Sequence, residues 1–362
     1  MSPPRTWIIS ETQDRVFLIG GVVASVLFTV GMIVIGVPEV WWWIWIVALD
    51  GPHVFATLAR TYLDPLERQA RPRLLWGSLL WLLVGPSTLL ASLALGTSLP
   101  TVVFLTLASL WAYWHVVRQH LGFMALYKRA AGESNPGDDR WDRAALYVGT
   151  IAPFLAFALG HPEARPMLGL SGEPTWEPWV QLLAWGVAGV VVAGWAVRMG
   201  FARSAARPVS GGKILYLSVL FAWTAILFSP WVVNRLPLIG VTVAVTVWHN
   251  IQYHALVWFY KQNRYKADRS AHGLAGRLGG HFALYALAGV LFTLSYRLVA
   301  CFGFGSAPGC TSSPEPILAG MSLGTVGAAV IWGVALHHYF VDQYIWRPGR
   351  DGRLRAELQV QP

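Results

Sequence analysis

Phe17-Leu-Ile-Gly-Gly-Val-Val-Ala-Ser-Val-Leu-Phe-Thr-Val-Gly-Met-Ile-Val-Ile-Gly-Val37 carries no charged side chain from end to end. A helix needs about 20 apolar residues to cross the hydrocarbon core of a bilayer, and this stretch supplies them. It is too long for the apolar region of a cleaved leader and lacks a small-residue exit, so it reads as a first membrane span. Working outward, similar stretches recur to the end of the chain. Ten spans are expected, near 16–37, 40–59, 74–95, 101–127, 141–160, 176–197, 214–231, 239–260, 281–300 and 317–346. The composition agrees: 55% of the 362 residues are hydrophobic and 12% are charged. A soluble domain carries about 25% charged residues. The expected fold is all-α, a polytopic transmembrane helical bundle. Residues 1–347 form its single domain and 348–362 a polar, mobile cytosolic tail.

The net charge of +9 raises nucleic acid as a partner, but its distribution excludes it. With both termini in the cytosol, every Lys and Arg falls on the inner side except Arg118 and Arg297, within spans, and Arg165 and Arg235, outside. That is the positive-inside pattern of a multi-pass protein, here read as one of a bacterial inner membrane. The Trp41-Trp42-Trp43-Ile44-Trp45 run then falls at the outer interface, where indoles favour the headgroup level. Cys301 and Cys310 share an outer loop; a disulfide and two unpaired cysteines both fit that placement. Two cysteines exclude a Cys-based zinc module or an iron–sulfur cluster.

Four spans hold ionisable residues where burial is costly. They read Asp50-Gly51-Pro52-His53, Trp114-His115-Val-Val-Arg118-Gln119-His120, Trp248-His249-Asn250-Ile-Gln252-Tyr253-His254, and His337-His338-Tyr-Phe-Val-Asp342-Gln343. The second and third share W-H-x4-H followed by Tyr-Lys, as an internal repeat would. Each group precedes the basic residue that ends its helix (Arg60, Lys128, Lys261, Arg347) by about 5 to 13 residues, or about 7 to 20 Å. All four helices run from outside to inside, so the groups share one slab towards the cytosolic face.

Asp50, His53, His115, His120, His249, His254, His337, His338 and Asp342 are the candidate metal ligands. Imidazole with carboxylate suits iron, zinc, copper or manganese. His338 and Asp342, at i,i+4, share a helix face. His115/His120 and His249/His254, at i,i+5, diverge by about 140° on an ideal helix. Either their helices are locally distorted, or one histidine of each pair serves a different partner or a second ion. Gly51-Pro52 predicts a bend. Gln119, Asn250, Gln252, Tyr253 and Gln343 are candidates to orient the ligands, and Arg118 to pair with an aspartate or an anionic substrate group. His161 reads as solvated and His272 as an inner-loop residue; His281 starts a span on the inner side, near the slab, as a weaker candidate outside the ligand set.

Paired H-x4-H motifs and a His-His dyad near the cytosolic helix ends resemble the polyhistidine integral-membrane di-iron oxygenases, hydroxylases and desaturases. The resemblance carries His53, His115, His120, His249, His254, His337 and His338 over as ligands, with Asp50 and Asp342 standing where that class uses histidine. It implies two iron ions, a lipid-soluble or other apolar substrate that is hydroxylated, desaturated or cleaved, and a cytosolic electron donor. Two competing readings use the same residues: a haem-binding electron-transfer or oxidase protein, and a metal-ion or proton transporter.

Overall fold

The computed structural model describes residues 6–310 and 316–359; residues 1–5, 311–315 and the last three of the polar tail lie outside the described residues. Apart from one isolated bridge between Leu318 and Met321, the regular structure there is helical. Ten main helices follow in order. They are α1 (Glu11–Val34), α2 (38–61), α3 (Pro72–Leu95), α4 (Leu99–Ala130), α5 (Pro136–Gly160), α6 (Glu177–Ser204), α7 (Gly211–Leu227), α8 (Leu238–Arg264), α9 (Phe282–Phe304) and α10 (Leu323–Ile345).

Seven of these, α1, α3, α4, α5, α6, α9 and α10, are long and apolar enough to cross a membrane, and α7 is apolar but shorter. The chain is therefore an integral membrane protein. The remaining expected spans, near 40–59 and 239–260, correspond to α2 and α8. Polar groups such as His53, His249, Asn250, Gln252 and His254 dilute their apolar character. Exposed leucines, valines and aromatics along α6 and α9, with Val190 75% and Phe302 84% exposed, would be untenable in water and suit contact with acyl chains.

The chain divides into two compact units, Met1–Trp41 with Val116–Ala255 and Leu358–Pro362, and Trp42–His115 with Leu256–Glu357. In the first unit α5 packs along α6, with a buried ion network at its heart. Asp142 accepts from Lys128 Nζ and Lys213 Nζ, each at 2.9 Å, and from Trp195 Nε1 at 2.9 Å. Lys213 also donates to Glu133 at 2.6 Å. The lysines that sequence reads as inner-surface markers thus include buried ones with carboxylate partners.

In the second unit, α2 lies against α9. A Cβ on Gly51 would fall inside the Thr293 side chain, and one on Gly289 would meet Pro52 at 2.9 Å. Small residues at both positions allow this approach. The bend expected at Gly51-Pro52 takes the form of a π-helical segment, Ile46–Asp50, closed by Gly51 N–H donating to Ile46 O. Pro52 has no N–H to give to the preceding turn, so the ladder shifts by one residue there. That shift turns everything after it by about 100°, which sets the direction of His53. Arg60 is buried between the Tyr260 and Trp346 rings, at 4.2 and 3.7 Å, and donates to Ile345 O.

The polar tail is folded rather than loose through its described part. Gly352–Glu357 forms a short helix, Leu354 is buried, Arg264 pairs with Glu357 at 2.7 Å and Arg71 pairs with Asp351. Cys301 and Cys310 are joined in a disulfide.

Candidate metal centre

Three helices of the second unit deliver one group. His53 comes from α2, His115 from α4, and His338 with Asp342 from α10. All four residues are buried, and one ligand atom from each lies within 4.8 Å of the others. The Nε2 atoms of His53 and His338 are 2.8 Å apart. The His115 ring stands across both, with centroids 6.3 Å from His53 and 5.1 Å from His338. Tyr339 stacks on the His115 ring at 4.4 Å and fixes its plane.

Thr57, one turn after His53, completes the arrangement. Its hydroxyl donates to Asp342 Oδ1 at 2.7 Å and lies 2.8 Å from His338 Nδ1. The pairs His53/Thr57 and His338/Asp342 are both i,i+4, so two helix faces meet rung for rung. Three imidazoles and a carboxylate are a donor set of the kind that iron, zinc, manganese or copper take, and the group could hold a metal ion.

The other expected ligands are not in this group of four. His337 points about 100° away from His338. Its Nε2 lies 2.8 Å from the Tyr62 hydroxyl, which donates to Leu75 O at 2.5 Å and sits 3.1 Å from Ser78 Oγ. With the Tyr62 proton committed to Leu75, His337 donates to Tyr62 and links α10 to the start of α3. Asp50 lies outside the group of four.

His120, His249 and His254 belong to the first unit. His120 Nδ1 is 2.6 Å from the Tyr216 hydroxyl, and Gln252 Nε2 donates to the same hydroxyl and, at 2.7 Å, to Leu18 O. Leu18 O also accepts from Trp248 Nε1 at 2.9 Å; it lies where the π-helical segment of α1, Asp14–Ile19, runs into Gly20-Gly21. Gln119 donates to His249 O at 2.8 Å. Neither α4 nor α8 is distorted: both are continuous α-helix. Of the two outcomes that the i,i+5 spacing allowed, His115 and His120 realise divergence to different partners.

Arg118 donates to the Tyr147 hydroxyl at 2.9 Å. Asn250 and Tyr253 are buried in α8, and Gln343 borders a cleft of about 440 Å³ with Leu110, Trp111 and Trp114. His161, expected to be solvated, is buried with Nε2 2.9 Å from Leu236 O. His272 pairs with Asp64 at 2.9 Å, and His281 is exposed at the start of α9. Thr57 and Tyr62 are the residues that sequence reading missed. The available signal for Thr57 was its i,i+4 relation to His53 on the same helix face.

No protein-family model, no curated protein and no solved structure matches the chain.

Proposed function

We propose that the protein is a membrane-embedded metal-dependent oxidoreductase in which His53, His115, His338 and Asp342 hold one iron ion. The observation that carries this reading is the convergence of three imidazoles and a carboxylate, from three helices, on a region smaller than 5 Å. A buried carboxylate among imidazoles gains from a cation at the shared point, and such donors suit a redox-active first-row metal. The ion would supply electron transfer and Lewis acidity, while the protein orients the donors and keeps bulk water away. One ion rather than two is proposed because paired ions sit about 3.5–4 Å apart and need a larger shared donor set.

The substrate is proposed to be apolar and to enter from the bilayer. The cleft bordered by Leu110, Trp111, Trp114 and Gln343 supports this. Trp111 lies one turn before His115 on α4, and Gln343 follows Asp342 on α10, so two of the lining residues are near neighbours in the chain of two of the donors. Reducing equivalents would come from a cytosolic donor, with the metal towards that face. The disulfide at the far end of α9 supports this orientation, because disulfides persist on the oxidising side of a membrane.

A haem held by histidines on facing helices is the second reading, and a Soret band in the absorption spectrum would favour it over non-haem iron. The test is elemental analysis of the purified protein with absorption spectroscopy, beside His115→Ala. About one iron per chain is expected, lost in the variant. Zinc alone, no metal, or iron that survives in His115→Ala would overturn the reading.

A further inference from the structure

We infer that Thr57 is a positioning residue that sets the chemical state of two metal ligands at once; this rests on the metal-centre reading above. The argument follows the protons. Thr57 Oγ1 donates its one hydroxyl proton to Asp342 Oδ1 at 2.7 Å. The 2.8 Å contact between the same hydroxyl oxygen and His338 Nδ1 must then run the other way, with the ring N–H donating. His338 is therefore the Nδ1–H tautomer, and its Nε2 carries a lone pair. That lone pair faces His53 Nε2 at 2.8 Å, at the point where the donors converge.

Without the hydroxyl, the Nδ1–H preference is lost. The Nε2–H tautomer would place a proton where the ion belongs, and Asp342 would be free to turn. With it, Oδ1 accepts the Thr57 hydroxyl and the carboxylate is held in one orientation. One hydroxyl thus does for an imidazole and a carboxylate what separate supporting groups do at most metal sites. The backbone makes this possible: the π-helical segment before Gly51 turns His53 and Thr57 together towards α10.

The test uses the full-length protein in detergent, with Co²⁺ as the probe. Wild type should bind about one Co²⁺ per chain and show ligand-field absorption. Thr57→Val should weaken binding about 10–100-fold, the usual cost of removing such a support, and change the absorption envelope. Thr57→Ser should restore both. In wild type, ¹⁵N NMR of metal-free protein should show His338 protonated at Nδ1, which needs no variant to fold. Wild-type binding with Thr57→Val unchanged, or His338 protonated at Nε2, overturns the role of Thr57 while leaving the metal site standing. Equal loss in Thr57→Ser and Thr57→Val would also overturn it. Failure of wild type to bind Co²⁺ instead overturns the metal site itself.

Discussion

Asp142 and Asp342 are both carboxylates buried in an apolar chain, and they are stabilised in different ways. Asp142, in the first unit, receives two lysine ammonium groups and an indole N–H, each at 2.9 Å. Its counter-charges are part of the fold. Asp342, in the second unit, meets a threonine hydroxyl and faces three imidazoles. Imidazoles are Lewis bases when neutral, so on the proposed reading this set would share an added cation rather than neutralise a carboxylate. The contrast then separates a carboxylate that holds helices together from one proposed to hold a metal ion.

The largest expected effect comes from exchanging the two kinds of site. Lys213→Met leaves Asp142 and Glu133 short of a buried cation. Breaking such a pair costs about 3–5 kcal/mol, so the melting temperature in detergent should fall steeply while metal content per folded chain stays at the wild-type value. Asp342→Asn should do the reverse: metal lost, with a melting temperature close to that of metal-free wild type. If Lys213→Met lost metal selectively, or Asp342→Asn melted like Lys213→Met, the distinction would fail.

A smaller effect should sharpen the same contrast at two glycines. A Cβ on Gly51 would run into the Thr293 side chain, and His53 lies two residues further on. A Cβ on Gly149, in the first unit, would meet Phe221 and Val192 at 2.9 Å. Overpacking costs about 1–3 kcal/mol at either position. Only Gly51→Ala should also weaken Co²⁺ binding, because it displaces the segment that aims His53. Equal Co²⁺ affinity in both variants would mean that the aim of His53 does not depend on the α2–α9 approach.

How much of this was legible in the sequence depends on the range of the physics involved. The long apolar runs declared a helical membrane protein, because that requirement is local and nearly independent of partners. The spacing of His115 and His120 showed that they diverge on an ideal helix. It could not show that His120 meets Tyr216, 96 residues away. The Trp-His repeat was real as a pattern and misleading as chemistry: Trp114 is 41% exposed, whereas Trp248 is 1% exposed and donates to Leu18. Gly51-Pro52 announced a bend; that it takes a π-helical form, closed by Gly51 N–H on Ile46 O, is seen only in the structure. Tail composition signalled solvent, yet Leu354 and Glu357 find buried partners that only folding brings near.

A third carboxylate, Asp351, tests the contrast at its weak end. It sits at the start of the tail helix, paired with Arg71 and accepting from Leu354 N at 3.0 Å. Partial burial alone would raise its pKa; the Leu354 N–H and the Arg71 charge outweigh this and hold it below the usual carboxylate value. A depressed folded pKa means that the stabilisation is fully present above the unfolded value and is lost as pH falls through the folded one. Below about pH 4, hydrogen exchange at the 352–357 amides should therefore accelerate, and Asp351→Asn should show that faster exchange already at pH 7. A partly exposed pair of this kind contributes about 1 kcal/mol or less, so the effect should be local, with the global melting temperature little changed. A global loss of structure over the same pH range in Asp351→Asn as in wild type would place the acid-sensitive group elsewhere.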